Sequence, residues 1–534
     1  MGQIREVVAQ TSDLENGQMQ QVSVGKTQVL LAKIGDEYRA MGANCTHYGA
    51  PLAQGYLSNN RVVCPWHHAC YNVLTGEGQE PPGLNDLPSF VVEVEGQDII
   101  VTVPEDAPSE TEPTLASYDP QHDNRVFVIL GAGAAGLHGA ETLRKEGFRG
   151  RLVMITAADD FPLDRTKLSK KYLQGKAGEN ALPLRDRDFY DRYDIEVLTD
   201  TRAKKVNTEK QQITFADNTT LDYDRILLAT GGKARRLNVP GADLENIFTL
   251  RNHQDSDRIL EAAENAQNAL VIGSSFIGLE TAASLRQQGL NVAVISPSEV
   301  PLEKILGTEL GEFFREKHEE NGVCFQLETK VKAFQGQGKV EKAILQDDTP
   351  IDVDLVVVGI GVDPATDYLE GIETNEDKSI STNGYLQAAD KVFVAGDIAQ
   401  FPYWQTGEPI RIEHWRLAAQ QGRIAAHNML NQAIPFRGVP FFWTGQFDLK
   451  LRYVGHAEQW DEIIFDGDLD SGEFIAYYRQ GDRVLAAAGC NRDAEMAAIE
   501  EMMRLGDMPK IDELKEMKVK NGQLIKAQLA QTHN

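Results

Sequence analysis

Val128-Ile129-Leu130 runs into Gly131-Ala132-Gly133-Ala134-Ala135-Gly136 and then into a predicted helix beginning LHGAETLRKEG. A strand, a glycine turn and a helix in this order leave little choice of fold. The glycines allow a tight turn and a close backbone approach, so that the helix N-terminus can face a pyrophosphate. Ala140, four residues after the third glycine, is small enough for helix and strand to pack closely. One such motif is weak, but the chain carries a second. Leu270-Val271-Ile272-Gly273-Ser274-Ser275-Phe276-Ile277-Gly278-Leu279-Glu280 repeats the device with Ser275 at the central glycine. Two copies in order imply two Rossmann-like α/β domains and two dinucleotides, one flavin and one nicotinamide, placed for hydride transfer. Around them the runs RVFVIL, RLVMIT, RILLAT, ALVIG, NVAVIS, DLVVVG and KVFVAG alternate with helical stretches, the mark of parallel βαβ sheets.

Residues 1–104 read differently. Short runs such as TQVLLAKIG, YRAMGAN, NRVVCPW and SFVVEVEGQDIIVTV, divided by Gly, Asn and Pro, predict a small all-β domain. Within it, Cys45-Thr46-His47 is followed after 16 residues by Cys64-Pro65-Trp66-His67. Two thiolates and two imidazoles suit zinc or an iron–sulfur cluster. A zinc finger pairs like ligands on adjacent turns, whereas here each loop supplies one Cys and one His. That is the arrangement of a Rieske centre, in which two His replace two Cys on one iron.

Residues 105–123 hold six acids, three prolines and no Lys or Arg, which predicts a linker spanning about 25 Å as a flexible coil. At 534 residues the chain exceeds one hydrophobic core. The formal charge of −27 excludes nucleic acid as a partner, and no apolar run is long enough for a membrane span. The N-terminus lacks a signal profile, so the cytoplasm is expected. The five cysteines do not form a secreted disulfide framework; Cys70, Cys324 and Cys490 are expected to be buried thiols.

The strings NCTHYGAPLAQG and CPWHHACYNVLTGE resemble the cluster loops of Rieske ferredoxins and of dioxygenase Rieske domains. The resemblance implies that Cys45 and Cys64 bind one iron of a [2Fe–2S] cluster, and His47 and His67 the other. His68 stands where that family usually has Gly, and is expected at the surface. Ala50 and Trp66 stand where high-potential Rieske proteins carry a disulfide, which implies a low-potential cluster. From residue 124 to about 490 the chain is similar to the two-dinucleotide flavoprotein reductases, particularly oxygenase-type ferredoxin reductases and apoptosis-inducing-factor-like proteins. PLDRTKLSKKYL, ILLATGGKAR, VVVGIGVDP, VFVAGDIA, RIEHWRLAAQQGRIAAHNM and PFFWTGQFDLKLRYVG carry that similarity. It implies FAD on Gly131, Gly133 and Gly136, with Arg165 and Arg235 at the flavin nucleotide, Asp397 at its ribityl and phosphate region, and Trp415 against the isoalloxazine. Lys170 would lie near flavin N5, paired with Glu280, as the catalytic charge pair. The nicotinamide would sit among Gly273, Ser275, Ile277, Gly278, Gly359 and Gly361.

An acid after the second strand of such a unit holds the NAD ribose, and an Arg holds the extra phosphate of NADP. Ser296-Pro297-Ser298-Glu299 offers neither in place, but Glu299 is near and no basic residue precedes Lys304, which favours NADH over NADPH. The expected architecture is a Rieske domain (1–104), a linker (105–123), an FAD domain in two parts (124–245 and 373–434), an NAD(P)H domain (246–372) and an α+β C-terminal domain (435–534). The expected activity passes electrons from NADH through FAD to the chain's own Rieske cluster. From there they reach a one-electron acceptor, either a protein or a quinone. The alternative is an NADH redox sensor with slow turnover, a reading that also admits a homo-oligomer.

Overall fold

The computed structural model describes residues 2–520 and 523–526. The chain divides into two compact units: one takes Met1–Leu115, Arg437–Trp443 and the residues from Leu451 onward, the other Ala116–Phe436 with Thr444–Lys450.

In the first unit the N-terminal segment forms an antiparallel sheet ordered Gln3–Gln10, Asp98–Pro104, Ser89–Glu95, Glu37–Gly42, Thr27–Ile34, Met19–Val24. The strand Thr27–Ile34 is apolar without alternation because both its faces are covered. Val29 and Leu31 enter one core with Ala40 and Val101. Leu30 and Ala32 enter another with Leu52, Tyr71 and the two cysteines Cys45 and Cys64. A smaller sheet, Tyr56–Ser58, Arg61–Val63, Cys70–Asn72 and Gly78–Glu80, completes the domain. Its first hairpin turns on Asn59-Asn60, with Asn59 at φ 52, the left-handed conformation such two-residue turns require.

The C-terminal segment of the same unit builds an antiparallel sheet around Arg483–Cys490, flanked by Leu449–Gly455 and Glu473–Gln480. The helix Asp493–Leu505 lies on it through Met496, Ile499, Met502 and Met503, packed against Val454, Ile475 and Tyr477. The strand offers Ala486, Ala487, Ala488 and Gly489, and a Cβ on Gly489 would come within 2.6 Å of the Met496 sulfur. Small residues here let helix and sheet approach. Residues 521–522 and 527–534 of the expected C-terminal domain lie outside the described residues.

The second unit holds two parallel sheets. One is ordered Ile195–Leu198, Arg151–Ile155, Val126–Leu130, Arg225–Leu228, Val392–Val394, with Gln387–Ala389 antiparallel at the edge. The other is ordered Ile247–Thr249, Leu355–Val358, Asn268–Ile272, Asn291–Ile295, Val323–Gln326. All seven apolar runs singled out above are strands of these sheets. In each sheet the glycine-bearing strand lies between its second and third partners, which places its C-terminal end at the topological switch point.

The stretch 105–123 is tied down at intervals. Thr111 bridges Asp86, the amide of Ala116 donates to the Arg144 carbonyl, and that of Asp119 to the Arg149 carbonyl. Backbone bonds substitute here for the apolar burial its composition lacks. Among the described residues no helix is long and apolar enough to cross a membrane.

Candidate functional site

Each presumed metal loop closes on itself. The amide of Cys45 donates to the Ala50 carbonyl (2.9 Å), and that of Cys64 to the Ala69 carbonyl (2.8 Å). The loops thus present Cys and His in equivalent places. The buried thiols of Cys45 and Cys64 hydrogen-bond one another. His47 Nδ1 and His67 Nδ1 stand 3.1 Å apart. Among the described residues no three His, Cys, Asp or Glu form a group that could hold one metal ion. Two separate ligand pairs, one of sulfur and one of nitrogen, suit a two-iron cluster that takes a pair on each iron.

The bond from Cys64 is the largest cause drawing the Cys45 thiol down to about 7, with Tyr71 and the amides of His47 and Tyr48 adding to it against burial. Burial pushes the Cys64 thiol up. The Tyr71 hydroxyl lies 3.3 Å from Cys45 Sγ and accepts from the Thr46 amide at 3.0 Å. A Cβ on Gly83 would meet that hydroxyl at 2.4 Å, so only glycine lets this loop pass. Tyr71 stands in the string CPWHHACYNVLTGE, which named it without its role. Trp443, in the string PFFWTGQFDLKLRYVG, was likewise named without a role. Its ring lies 4.5 Å from that of His67 and 6.1 Å from that of His47.

Two expectations need correction. His68 is fully buried, not at the surface. Its φ of 56° is the left-handed conformation that explains glycine at this place in the family. Its Nδ1 lies 2.6 Å from Glu500 Oε2, and its ring stacks on Phe441 at 4.1 Å. These contacts offset a backbone cost of about 1 kcal/mol. Cys324 is exposed, because the edge strand Val323–Gln326 turns it to the outer face; Cys70 and Cys490 are buried as expected.

The first glycine cradle is built for close approach. Gly131 has φ 115°, and a Cβ there would meet the Ala229 carbonyl at 2.1 Å; one on Gly136 would meet the Gly131 carbonyl at 1.9 Å. Gly133, by contrast, faces open space and caps the helix Ala134–Lys145 with no side-chain bond. Its amides are left for a ligand phosphate. Arg165 is partly buried, and burial together with Arg251 draws its guanidinium down to about 10, opposed by Asp397 and Asp160. Asp397 itself accepts from Arg251 at 2.8 Å. Two guanidinium groups in one place want an anion between them. Trp415 opens the helix Trp415–Met429, half-buried, and Arg235 donates to Asp363 at 2.7 Å. These residues fit FAD. Arg251, which sequence reading missed, lies in no motif.

The second cradle repeats the first. A Cβ on Gly273 (φ 109°) would meet the Gly359 carbonyl at 2.2 Å, and one on Gly278 the Gly273 carbonyl at the same distance. Ser275 caps the helix Phe276–Gln287 and donates to the Gly359 carbonyl at 3.3 Å. Ile277 is exposed beside it, and Gly361 has φ 93°. Ser296 is buried and accepts from Ser274 Oγ (2.8 Å) and from the Ser298 amide (3.3 Å), while Glu299 is exposed. Ser296 therefore holds its own loop together.

Lys170 meets Glu280, which stands on the helix of the second cradle. Lys170 lies in the π-turn Leu168–Tyr172 with non-helical φ −118°, ψ −113°. Its Nζ is 3.0 Å from Glu280 Oε2, with side chains 20% and 3% exposed, so this is no ordinary surface pair. Ser169 Oγ also donates to Glu280 Oε2, and Thr444 Oγ1 donates to Oε1 at 2.7 Å. Behind Thr444, Gln446 Nε2 donates to its hydroxyl (3.0 Å) and His318 Nε2 meets Gln446 Oε1 (2.8 Å). Burial draws His318 down to about 4, so it is neutral and donates its Nε2 proton. The string WTGQ named Thr444 and Gln446 without their role; His318 had no signal.

Residues 125–422 match the model of the pyridine nucleotide-disulphide oxidoreductase family, residues 5–91 that of the Rieske [2Fe-2S] domain, and residues 441–524 that of the reductase C-terminal domain. Apoptosis-inducing factor 3 of Homo sapiens is 38% identical over 94% of this chain and 84% of that protein. Putidaredoxin reductase CamA of Pseudomonas putida is 33% identical over 70% of this chain and 90% of its own. Among solved structures, the covalent putidaredoxin reductase–putidaredoxin complex superposes with a TM-score of 0.70 at 32% identity, covering 73% of this chain and 96% of that one.

Proposed function

We propose that this chain, which belongs to the pyridine nucleotide-disulphide oxidoreductase family with a Rieske domain ahead of it, takes electrons from NADH and delivers them singly, by way of its own cluster, to a one-electron acceptor. The oxidoreductase domain is of the class that uses FAD and NAD(P)H, and the Rieske domain is of the class that holds a [2Fe–2S] cluster. When bound, FAD accepts a hydride and the cluster carries one electron at a time, which converts two-electron input into one-electron output.

The chain's own residues prepare that chemistry. Gly131, Gly133 and Gly136 open the backbone to the FAD pyrophosphate, with Arg165 supplying positive charge, Asp397 and Arg251 ordering the adjoining loop, and Trp415 and Arg235 bordering the flavin. Gly273, Ser275, Ile277, Gly278, Gly359 and Gly361 do the same for the nicotinamide dinucleotide. Glu299, with no basic residue between it and Lys304 in the sequence, favours NADH. Cys45 and Cys64 hold one iron; His47 and His67 hold the other. The acceptor is a ferredoxin-type protein by analogy with putidaredoxin reductase, whose solved complex contains putidaredoxin.

The observation that carries this reading is the Lys170–Glu280 bond. Lys170 follows the first cradle in sequence, and Glu280 rises from the helix that opens the second. A cation held by a buried carboxylate where two dinucleotide units meet can stabilise negative charge as hydride arrives. An anaerobic NADH titration followed by optical and EPR spectra tests it. Flavin bleaching and a Rieske-type signal of low average g are expected together, with steady turnover once a one-electron acceptor is added. A reduced flavin that persists with nicotinamide bound, beside a cluster that stays oxidised, would establish the sensor reading instead.

A further inference from the structure

The ligand loop around His67 is gripped from both sides by the C-terminal domain. Before it, Arg452 Nε donates to the Trp66 carbonyl at 3.2 Å, with Arg452 itself paired to Asp493 at 2.8 Å. After it, the buried His68 meets Glu500 of the helix Asp493–Leu505 at 2.6 Å and stacks on Phe441. The next residue of that helix, Glu501, pairs with Arg61 at 3.5 Å and with Arg504 at 2.6 Å. Val63 and Cys70 pack against Ala497. Rieske and C-terminal segments share one compact unit.

We propose that His68 and Glu500 form a latch that fixes the Rieske domain to the C-terminal domain, making the cluster a docked carrier and not one that swings on the acidic stretch. His68 occupies a left-handed backbone position that glycine would fill without strain. The ion-pair and stacking contacts of its imidazole, with Glu500 and Phe441, reach the C-terminal domain. Both members of the pair are buried, so removal of either breaks a buried, hydrogen-bonded pair. That loss weakens an association on the order of a hundredfold or more.

The test uses the intact holoprotein with a protease recognition sequence inserted after Ser117, in an exposed extended stretch. After cleavage, both fragments are followed by size-exclusion chromatography at falling concentration, the Rieske fragment by its cluster absorbance. In the cleaved wild type the fragments are expected to co-elute. In Glu500→Ala and in His68→Gly the concentration at which they separate is expected to rise at least a hundredfold. His68→Gly relieves the backbone, so its cluster assembles and its EPR signal reports a folded domain. Fragments of the wild type that part at once would overturn docking. Equal retention in all three proteins would overturn the latch. The readout needs no turnover, so failure of the proposed electron route would leave this result standing.

Discussion

Lys170→Ala separates hydride chemistry from everything else the protein holds. The ammonium lies 3.0 Å from Glu280 Oε2, and the carboxylate is 3% exposed. Its removal leaves Glu280 with two neutral donors, Ser169 and Thr444, so the carboxylate stays hydrogen-bonded. One charge-assisted bond is worth about 1.5–3 kcal/mol, which bounds the loss of folding stability. The rate consequence is larger. A preorganised charge that meets developing negative charge contributes about 2.7–4 kcal/mol to the barrier, or roughly 10²–10³ in rate. Stopped-flow bleaching of the flavin at saturating NADH should therefore slow by about that factor. The NADH dissociation constant should change by less than about threefold, since no cradle glycine is touched. Glu280→Gln should fall between wild type and Lys170→Ala, because the amide oxygen keeps one hydroxyl bond but not the charge that anchors Lys170. An unchanged limiting rate in Lys170→Ala would refute the reasoning and return the pair to a purely structural role.

The other predictions probe the remaining sites. His67→Ala should abolish the Rieske EPR signal, whereas Tyr71→Phe should keep it and lower the cluster potential in protein-film voltammetry, since the hydroxyl at Cys45 Sγ favours the more negative reduced cluster. Gly136→Ala should be purified with most of its FAD missing, as measured by flavin absorbance, because the added Cβ would lie 1.9 Å from the Gly131 carbonyl. NADPH should reduce the flavin at least tenfold less efficiently than NADH; equal kcat/KM values would overturn the preference read from Glu299. His318, held near 4 by burial, resists protonation when folded but accepts it near 6.5 when unfolded, so its stabilisation is full above 6.5 and is lost as pH falls toward 4. Between pH 7 and 5 that loss is about 2 kcal/mol, and His318→Gln should show a correspondingly smaller fall in thermal midpoint over the same range.

How much of this was legible in the chain depends on how local each device is. A glycine turn between strand and helix is a backbone requirement confined to a few residues, so both cradles stood in the sequence, down to the glycines whose Cβ would collide with a carbonyl. Cys45, His47, Cys64 and His67 were legible for the same reason: each loop closes within five residues, and the ligand chemistry fixes the residue types. The strands were legible wherever apolar runs were bounded by turns. Lys170 and Glu280 were found only through family likeness, because 110 positions separate them and neither carries a local signal. His68 was misjudged for a related reason. A polar residue in a glycine's place reads as surface, and only the fold brings Glu500, 432 positions away, to within 2.6 Å of it. Tyr71, Arg251, Trp443 and His318 belong to the same class. Turns and ligand loops are decided by short-range sterics, which residue order records directly. Buried polar partners are decided by which distant elements share a face, and that the chain settles only when its cores close.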